Sequence, residues 1–378
     1  MTAHVGQFGG RLRIDLGAIQ RNWKGLDTVS KTALTGAVVK ADAYGTGLVP
    51  VSAALWQAGA RFYFVANADE GIALRETLPD AHIFILNGLA PGAATFYAEN
   101  RLMPVLNSLG ELDHWLKLCI EAEEALPAAF QFDTGMNRLG FRLQEVSIVR
   151  SMMEQSGYLP QMVMSHMACA DQPNHEKNRT QRALFQSLLA QFPDIPASLA
   201  NSAATLSGRD NHFQIVRPGI ALFGGRAVQG RPNPMAPAVT VEMPVMQVHE
   251  ARTGETVGYG ATYTLNRDSR LAVVACGYAD GYIRTLSSSN GKPGAHMWFG
   301  GRQLPVLGRI SMDLTVIDVT DLGQNVPLPG QFVEVFGPNS SIDDAAESGS
   351  TISYELLTSL NGRYSRVYVD ENGAEFQV

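Results

Sequence analysis

Eight short apolar runs, each followed by text of helical periodicity, constrain this chain more than any other feature of its sequence. They fall at 34–39, 62–66, 82–86, 103–106, 128–133, 161–166, 197–200 and 213–216. A run of that length, apolar without alternation, is what a strand buried on both faces shows. Strands of that kind separated by helices belong to parallel sheets. Eight such units in about 200 residues predict a (β/α)8 TIM-type barrel. An open doubly wound sheet is the alternative, but no G-x-G-x-x-G follows the first run.

The beat stops at Arg231-Pro-Asn-Pro-Met-Ala-Pro237, which reads as a linker. Beyond it, strand-like runs follow one another at 239–248, 271–276, 296–299, 303–306, 309–319 and 332–336. A short helix at 354–360 and a last strand at 364–369 close the chain. This predicts a barrel over 14–232 and a mostly β C-terminal domain over 233–378. The segment 11–16 alternates like an edge strand, so residues 1–13 are expected to join the β domain at its edge. With 378 residues, 45% of them hydrophobic, the chain can bury two cores.

The formal net charge of −7 and the absence of a long basic run argue against a nucleic-acid partner. No apolar run reaches the length that spans a membrane, and residues 1–11 lack an apolar leader segment. Cys119, Cys169 and Cys276 lie far apart without metal-ligand spacing and read as reduced thiols of a cytoplasmic protein. No metal site is expected.

On a barrel, chemistry belongs at the C-terminal ends of the strands. The first run ends in Ala37-Val-Val-Lys40-Ala-Asp-Ala-Tyr44-Gly-Thr-Gly47. A lysine there is costly unless it is neutralised, paired or covalently used. Gly45 and Gly47 at the start of the helix expected over 48–58 suit an anion such as phosphate. Together they fit a pyridoxal-phosphate Schiff base. Other runs end in Asp133-Thr-Gly-Met-Asn-Arg138, Ser165-His166, Asn201-Ser202 and Arg217-Pro-Gly219-Ile220. Each has a bland reading taken singly: a turn, a core histidine, a helix-start salt bridge. Their arrival at one rim is harder to dismiss.

The segments AVVKADAYGTG, FDTGMNRLGF, SHMACAD, NSAA, RPGIALFG, VGYGATYT, GYADGYIR, GRISMDLT and TISYELL, in that order, resemble the alanine racemase family from about residue 13 to residue 369. The resemblance implies a barrel that binds pyridoxal 5'-phosphate, joined to a β domain, in a head-to-tail homodimer. It implies racemisation of L- and D-alanine, as in D-alanine biosynthesis. Lys40 would carry the cofactor; Tyr44, Ser202, Gly219, Ile220 and Tyr354 would hold its phosphate. Arg217 would face the ring nitrogen with His166 behind it, and Arg138 would meet the cofactor's phenolic oxygen and the substrate carboxylate. Tyr259, from the partner subunit, would be the second catalytic base and serve the L-enantiomer. Met312 and Asp313 would line the partner-side wall, with Tyr278, Arg284 and Arg309 at the entrance.

Two positions depart from the family pattern. Thr46 stands where histidine is frequent, and Gln131 stands where many members carry a carbamylated lysine near Arg138. A bound chloride near Gln131 is one expectation; a direct hydrogen bond from Arg138 to the Gln131 carbonyl is the other. The rival readings are a broad-specificity racemase, a pyridoxal-phosphate decarboxylase and a non-catalytic cofactor-binding barrel. The decarboxylase would lack GYGATY and SMDLT, and the non-catalytic barrel would lack the second domain. The broad-specificity enzyme differs only in which amino acids it accepts.

Overall fold

The structure, a computed structural model, describes residues 9–377. Seven parallel strands stand side by side in chain order: Ala37–Val38, Phe62–Val65, His82–Ile85, Met103–Leu106, Ala129–Gln131, Met162–Met164 and Ala197–Ser198. The eighth, Ile215–Val216, closes the ring. It pairs in parallel with Leu34–Thr35, the first half of the opening strand. On its other side Gln214 N–H donates to Ala197 O at 3.0 Å and Arg217 N–H to Ala200 O at 2.8 Å. The barrel expected from the eight runs is present.

Several strands end before their apolar runs do, among them Ala129–Gln131, Met162–Met164 and Ala197–Ser198, because the chain turns into rim loops before the apolar text ends. After Gln131, Asp133 N–H donates to Phe141 O and Phe141 N–H to Gln131 O, so the strand folds onto its own loop. The first helix spans Leu16–Ser30, and Asp15 caps its start by accepting from Ala18 N–H at 2.7 Å.

The proline-rich crossing at 231–237 is pinned rather than free. Asn22, buried on the first helix, donates to Leu222 O and Ala236 O and accepts from Ala236 N–H.

In the second half, the long strand Val239–Ala251 pairs antiparallel with Phe332–Phe336 along its first part and with Ser269–Val274 along its second. With Thr315–Asp318, Arg302–Leu307 and His296–Phe299 this closes six strands on themselves. Arg11–Asp15 is not an edge strand. It lies between Val239–Ala251 and Ser365–Val369, antiparallel to the first and parallel to the second. Alternation reports that a strand has one solvated face (Leu12 and Ile14 are buried, Arg11 and Arg13 exposed), and an interior strand shows it as readily. Residues 1–8 of the segment expected there lie outside the described residues. The strand expected over 309–319 is confined to Thr315–Asp318; 309–314 is a loop, with Ser311 N–H turned back to Leu314 O. Cys119, Cys169 and Cys276 are free. Among the described residues no helix is long and apolar enough to cross a membrane.

Candidate active site

The strand Ala37–Val38 delivers Lys40 to the rim, and the chain then enters an unusual turn. Ala41, Asp42, Ala43 and Tyr44 all have left-handed helical torsions, with φ between 51° and 58°. For residues with a Cβ this conformation costs roughly 1–2 kcal/mol each. Lys40 and Tyr44 line the cavity at the barrel mouth, and Ala41, Asp42 and Ala43 between them do not.

Gly45 and Gly47 do not form the phosphate cradle expected of them. Gly47 N–H donates to Asp42 O at 2.9 Å. A Cβ on Gly45 would lie 2.3 Å from Leu357 O, and one on Gly47 would lie 2.2 Å from the Tyr368 hydroxyl. These glycines admit the second domain, whose helix Ser353–Ser359 and strand Ser365–Val369 dock there.

A cavity of about 390 Å³ opens at the rim. Lys40, Tyr44, Arg138, His166, Ser202, Arg217, Gly219, Ile220 and Tyr354 all line it, so the barrel gathers every cofactor residue named from the sequence. At one end Ser202 Oγ accepts from Gly219 N–H at 2.8 Å. The Tyr44 hydroxyl sits against Gly219, 2.1 Å from where a Cβ would stand. Burial holds the Tyr44 phenol well above its ordinary pKa, and that of Tyr354 is pushed up to about 12, so both are hydroxyl donors at neutral pH. Asn201 caps the helix Ser202–Ser207 by accepting from Ala204 N–H at 3.0 Å.

Arg217 is buried and has no carboxylate partner among the described residues. Its guanidinium donates through Nη1 to Ser198 Oγ and through Nη2 to Ser165 O at 2.7 Å. Burial lowers its pKa to about 9, which leaves it protonated at neutral pH. Lys40 makes no hydrogen bond or ion pair among the described residues; burial first, then the charge of Arg138, lowers its pKa, and Glu70 acts in the opposite direction.

The exposed surface of His166 faces this cavity, and its pKa is lowered to about 3 by burial first and then by Arg217, Arg138 and Lys40. The unfolded imidazole, at 6.5, takes a proton that the folded one refuses. Stability of the cofactor-free protein is therefore expected to fall as pH drops from about 6.5, with a slope from this group of up to about 1.4 kcal/mol per pH unit. Denaturant titrations across that window should show a shallower slope in His166→Asn than in the parent.

Arg138 stands exposed at the mouth on a loop held by Asp133. Asp133 Oδ1 accepts from the N–H groups of Gly135, Met136 and Asn137, and Oδ2 meets Arg142 Nη1 at 2.6 Å. Gln131 is buried below, with Nε2 donating to Asn107 Oδ1 at 3.0 Å. Arg138 makes no hydrogen bond to the Gln131 carbonyl among the described residues, so the direct bond expected as one alternative is absent.

Tyr259, Tyr278, Arg284, Arg309, Met312 and Asp313 are not brought to this cavity; no residue from 221 to 353 lines it. All six are exposed on the second domain. Tyr259 is 70% exposed and Met312 54%. Part of this group is tied together: Ala279 N–H donates to Met312 O, and Asp313 pairs with Arg363 at 2.8 Å. Reading the sequence residue by residue missed Ser198, which meets Arg217, Asn107, which meets Gln131, and Asn87, which lines the cavity. Ser198 carried a faint signal, as a polar residue inside an apolar strand two positions before the rim; Asn107 and Asn87 follow strand ends without a pattern.

The family models describe the same two parts. Alanine racemase, N-terminal domain, matches residues 14–227, and alanine racemase, C-terminal domain, matches residues 238–368. An alanine racemase of Rhizobium meliloti is 45% identical over 366 residues, covering 95% of this chain and 96% of that protein. A biosynthetic alanine racemase of Agrobacterium fabrum is 43% identical, covering 95% and 93%. The crystal structure of alanine racemase from Bartonella henselae with covalently bound pyridoxal phosphate superposes with a TM-score of 0.90 at 37% identity, covering 96% of this chain and 99% of that one. Matched in both halves, with the rim residues of its first half gathered in one cavity, this chain belongs to the alanine racemase family.

Proposed function

We propose that this chain interconverts L-alanine and D-alanine using pyridoxal 5'-phosphate held through Lys40, with Lys40 and the Tyr259 of a second copy as its two bases. The observation that carries the reading is a desolvated lysine amine without a counter-ion, facing a cavity that also holds a buried guanidinium and a cluster of hydroxyl and backbone N–H groups. These residues fit the cofactor. Ser202, Gly219, Ile220, Tyr44 and Tyr354 would take its phosphate, and Arg217 and His166 would stand toward its ring. When bound, that cofactor delocalises the charge left on the amino acid after its α-proton is removed.

The rest falls to the chain. The Lys40 amine, its pKa lowered by burial, takes or returns a proton on one face of the substrate. The Tyr259 hydroxyl does so on the other. Arg217, protonated and fixed by Ser198 and Ser165, would keep its proton rather than pass it to a ring nitrogen, which restrains competing chemistry. Arg138 orients the substrate carboxylate, Met312 and Asp313 of the second copy close the wall, and Tyr278, Arg284 and Arg309 shape the entrance.

A homodimer is supported by the exposed Tyr259, Tyr278, Met312 and Leu314, which a second copy would cover. Three free cysteines are in keeping with a cytoplasmic location.

Borohydride treatment of the yellow enzyme is expected to fix the cofactor on the peptide that contains Lys40, read by mass spectrometry; label on another lysine, or on none, overturns the assignment. Incubation with a panel of L-amino acids, with products resolved on a chiral column, separates an alanine racemase from a broad-specificity one.

We also infer that a chloride ion sits between the Gln131 amide and Arg138. The Gln131 carbonyl leaves Arg138 without an acceptor, and one amide N–H of Gln131 remains after the bond to Asn107. Activity should fall when chloride is exchanged for acetate at constant ionic strength and return on adding it back. Indifference to chloride, with no anion density beside Gln131 in a bromide-grown crystal, retires the ion.

A further inference from the structure

We propose that Arg366, Asp42 and Glu70 act as a clamp that holds the left-handed turn Ala41–Tyr44 and thereby positions Lys40 and Tyr44 from outside the cavity. The proposal rests on the reading of Lys40 as the cofactor's anchor. Four consecutive residues with a Cβ in left-handed torsions are opposed by local preference at every step, so the surroundings must hold them.

The contacts that do so come from three other parts of the fold. Glu70 Oε1 accepts from Asp42 N–H at 3.1 Å while its Oε2 accepts from Ala66 N–H at 2.8 Å, tying the turn to the end of the strand Phe62–Val65. Asp42 Oδ1 accepts from Leu48 N–H at 2.8 Å and so fixes the start of the helix Leu48–Ala58. From the second domain, Arg366 donates through Nη1 to Asp42 Oδ2 at 2.9 Å and through Nη2 to Gly45 O at 3.1 Å. The Tyr368 hydroxyl donates to Thr46 O at 3.1 Å, two residues further along the same strand.

None of Asp42, Glu70, Arg366 and Tyr368 lines the cavity. They act through the residues that do. Lys40 immediately precedes the turn and Tyr44 ends it, so a change in the torsions at 41–44 moves the amine relative to the phenol while leaving the barrel strands in place. Arg366 presents two donors in a fixed fork to two acceptors on the turn, which a lysine at that position cannot match. The second domain thus reaches the anchoring lysine from within the same chain.

The test compares Arg366→Ala, Arg366→Lys and Tyr368→Phe with the parent and with Arg267→Ala. Arg267 pairs with Asp318 and Asp321 in the second domain and makes no contact with the turn, so its loss reports ion-pair removal alone. In cofactor-stripped protein, Arg366→Ala should speed hydrogen exchange of the peptide spanning 41–47 by about tenfold or more. Its affinity for pyridoxal phosphate, followed by visible absorbance, should weaken by about tenfold or more, as misplacement of a reacting group does. Arg366→Lys should recover part of both, Tyr368→Phe should move both in the same direction by less, and Arg267→Ala should move neither.

Exchange and affinity in Arg366→Ala within about twofold of the parent would overturn the clamp, as would equal losses in Arg267→Ala. If Arg366→Ala does not fold, Tyr368→Phe decides on the same two measurements, and parent-like values refute the proposal. A parent that takes up no cofactor at Lys40 refutes the functional reading instead. The exchange measurement, made without cofactor, still decides the clamp.

Discussion

Replacing Lys40 by alanine is expected to lower racemisation by more than about 10⁴-fold, beyond the roughly 10²–10⁴-fold that one acid–base group contributes. The excess arises from the two duties proposed for one amine: anchoring the cofactor and exchanging a proton. The fold should survive. The Lys40 amine has no hydrogen-bond or ion-pair partner among the described residues, so its removal strands no other group, and taking an unpaired charge out of a partly buried place relieves a cost. With both proteins free of cofactor, a melt at or above that of the parent is therefore expected alongside the lost activity. Methylamine, small enough to enter the space vacated by the side chain, should restore a fraction of the rate in proportion to its concentration. Activity within about tenfold of the parent would remove Lys40 from the chemistry.

The second large effect belongs to Tyr259→Phe, expected to cost about 10²–10⁴-fold, with solvent deuterium exchange from L-alanine suffering most. The variant keeps the ring and loses only the hydroxyl. Because Tyr259 is 70% exposed and does not line the cavity of its own chain, its loss should leave stability and cofactor uptake unchanged. The decisive measurement mixes inactive Lys40→Ala and Tyr259→Phe chains under conditions of subunit exchange. A heterodimer would hold one site with both defects and one with neither, so part of the activity should return. No recovery after exchange has been verified by native mass spectrometry would mean that Tyr259 does not serve a neighbouring copy.

Several features are legible in the chain because they are local. Period and length of the apolar runs report burial on both faces, and eight of them close into the barrel. Polar residues placed just after those runs have to arrive at one rim, which is why Lys40, His166, Ser202 and Arg217 meet around one cavity. The misreadings have one physical source. Alternation in 11–15 reports the faces of a strand and carries nothing about its neighbours, so an interior strand reads as an edge. The text of 309–314 is apolar enough for a strand, yet its backbone turns on itself and meets the loop of Tyr278 and Ala279.

The sequence by itself determined the barrel, the second β unit and the strand-end residues Lys40, His166, Ser202 and Arg217 of the rim cavity, since each depends on hydrophobic period or on position relative to a strand end. Tertiary structure alone decided what Gly45 and Gly47 are for. They have the look of a phosphate cradle and serve the approach of Leu357 and Tyr368, because the space beside a glycine is set by whichever distant segment docks there. It also decided the left-handed torsions of Ala41–Tyr44, which local preference disfavours and contacts from residues as remote as Arg366 hold in place. The same holds for the fork of Arg217, aimed by Ser198 and Ser165. Side chains brought together from strands far apart in the chain leave no spacing in it to read.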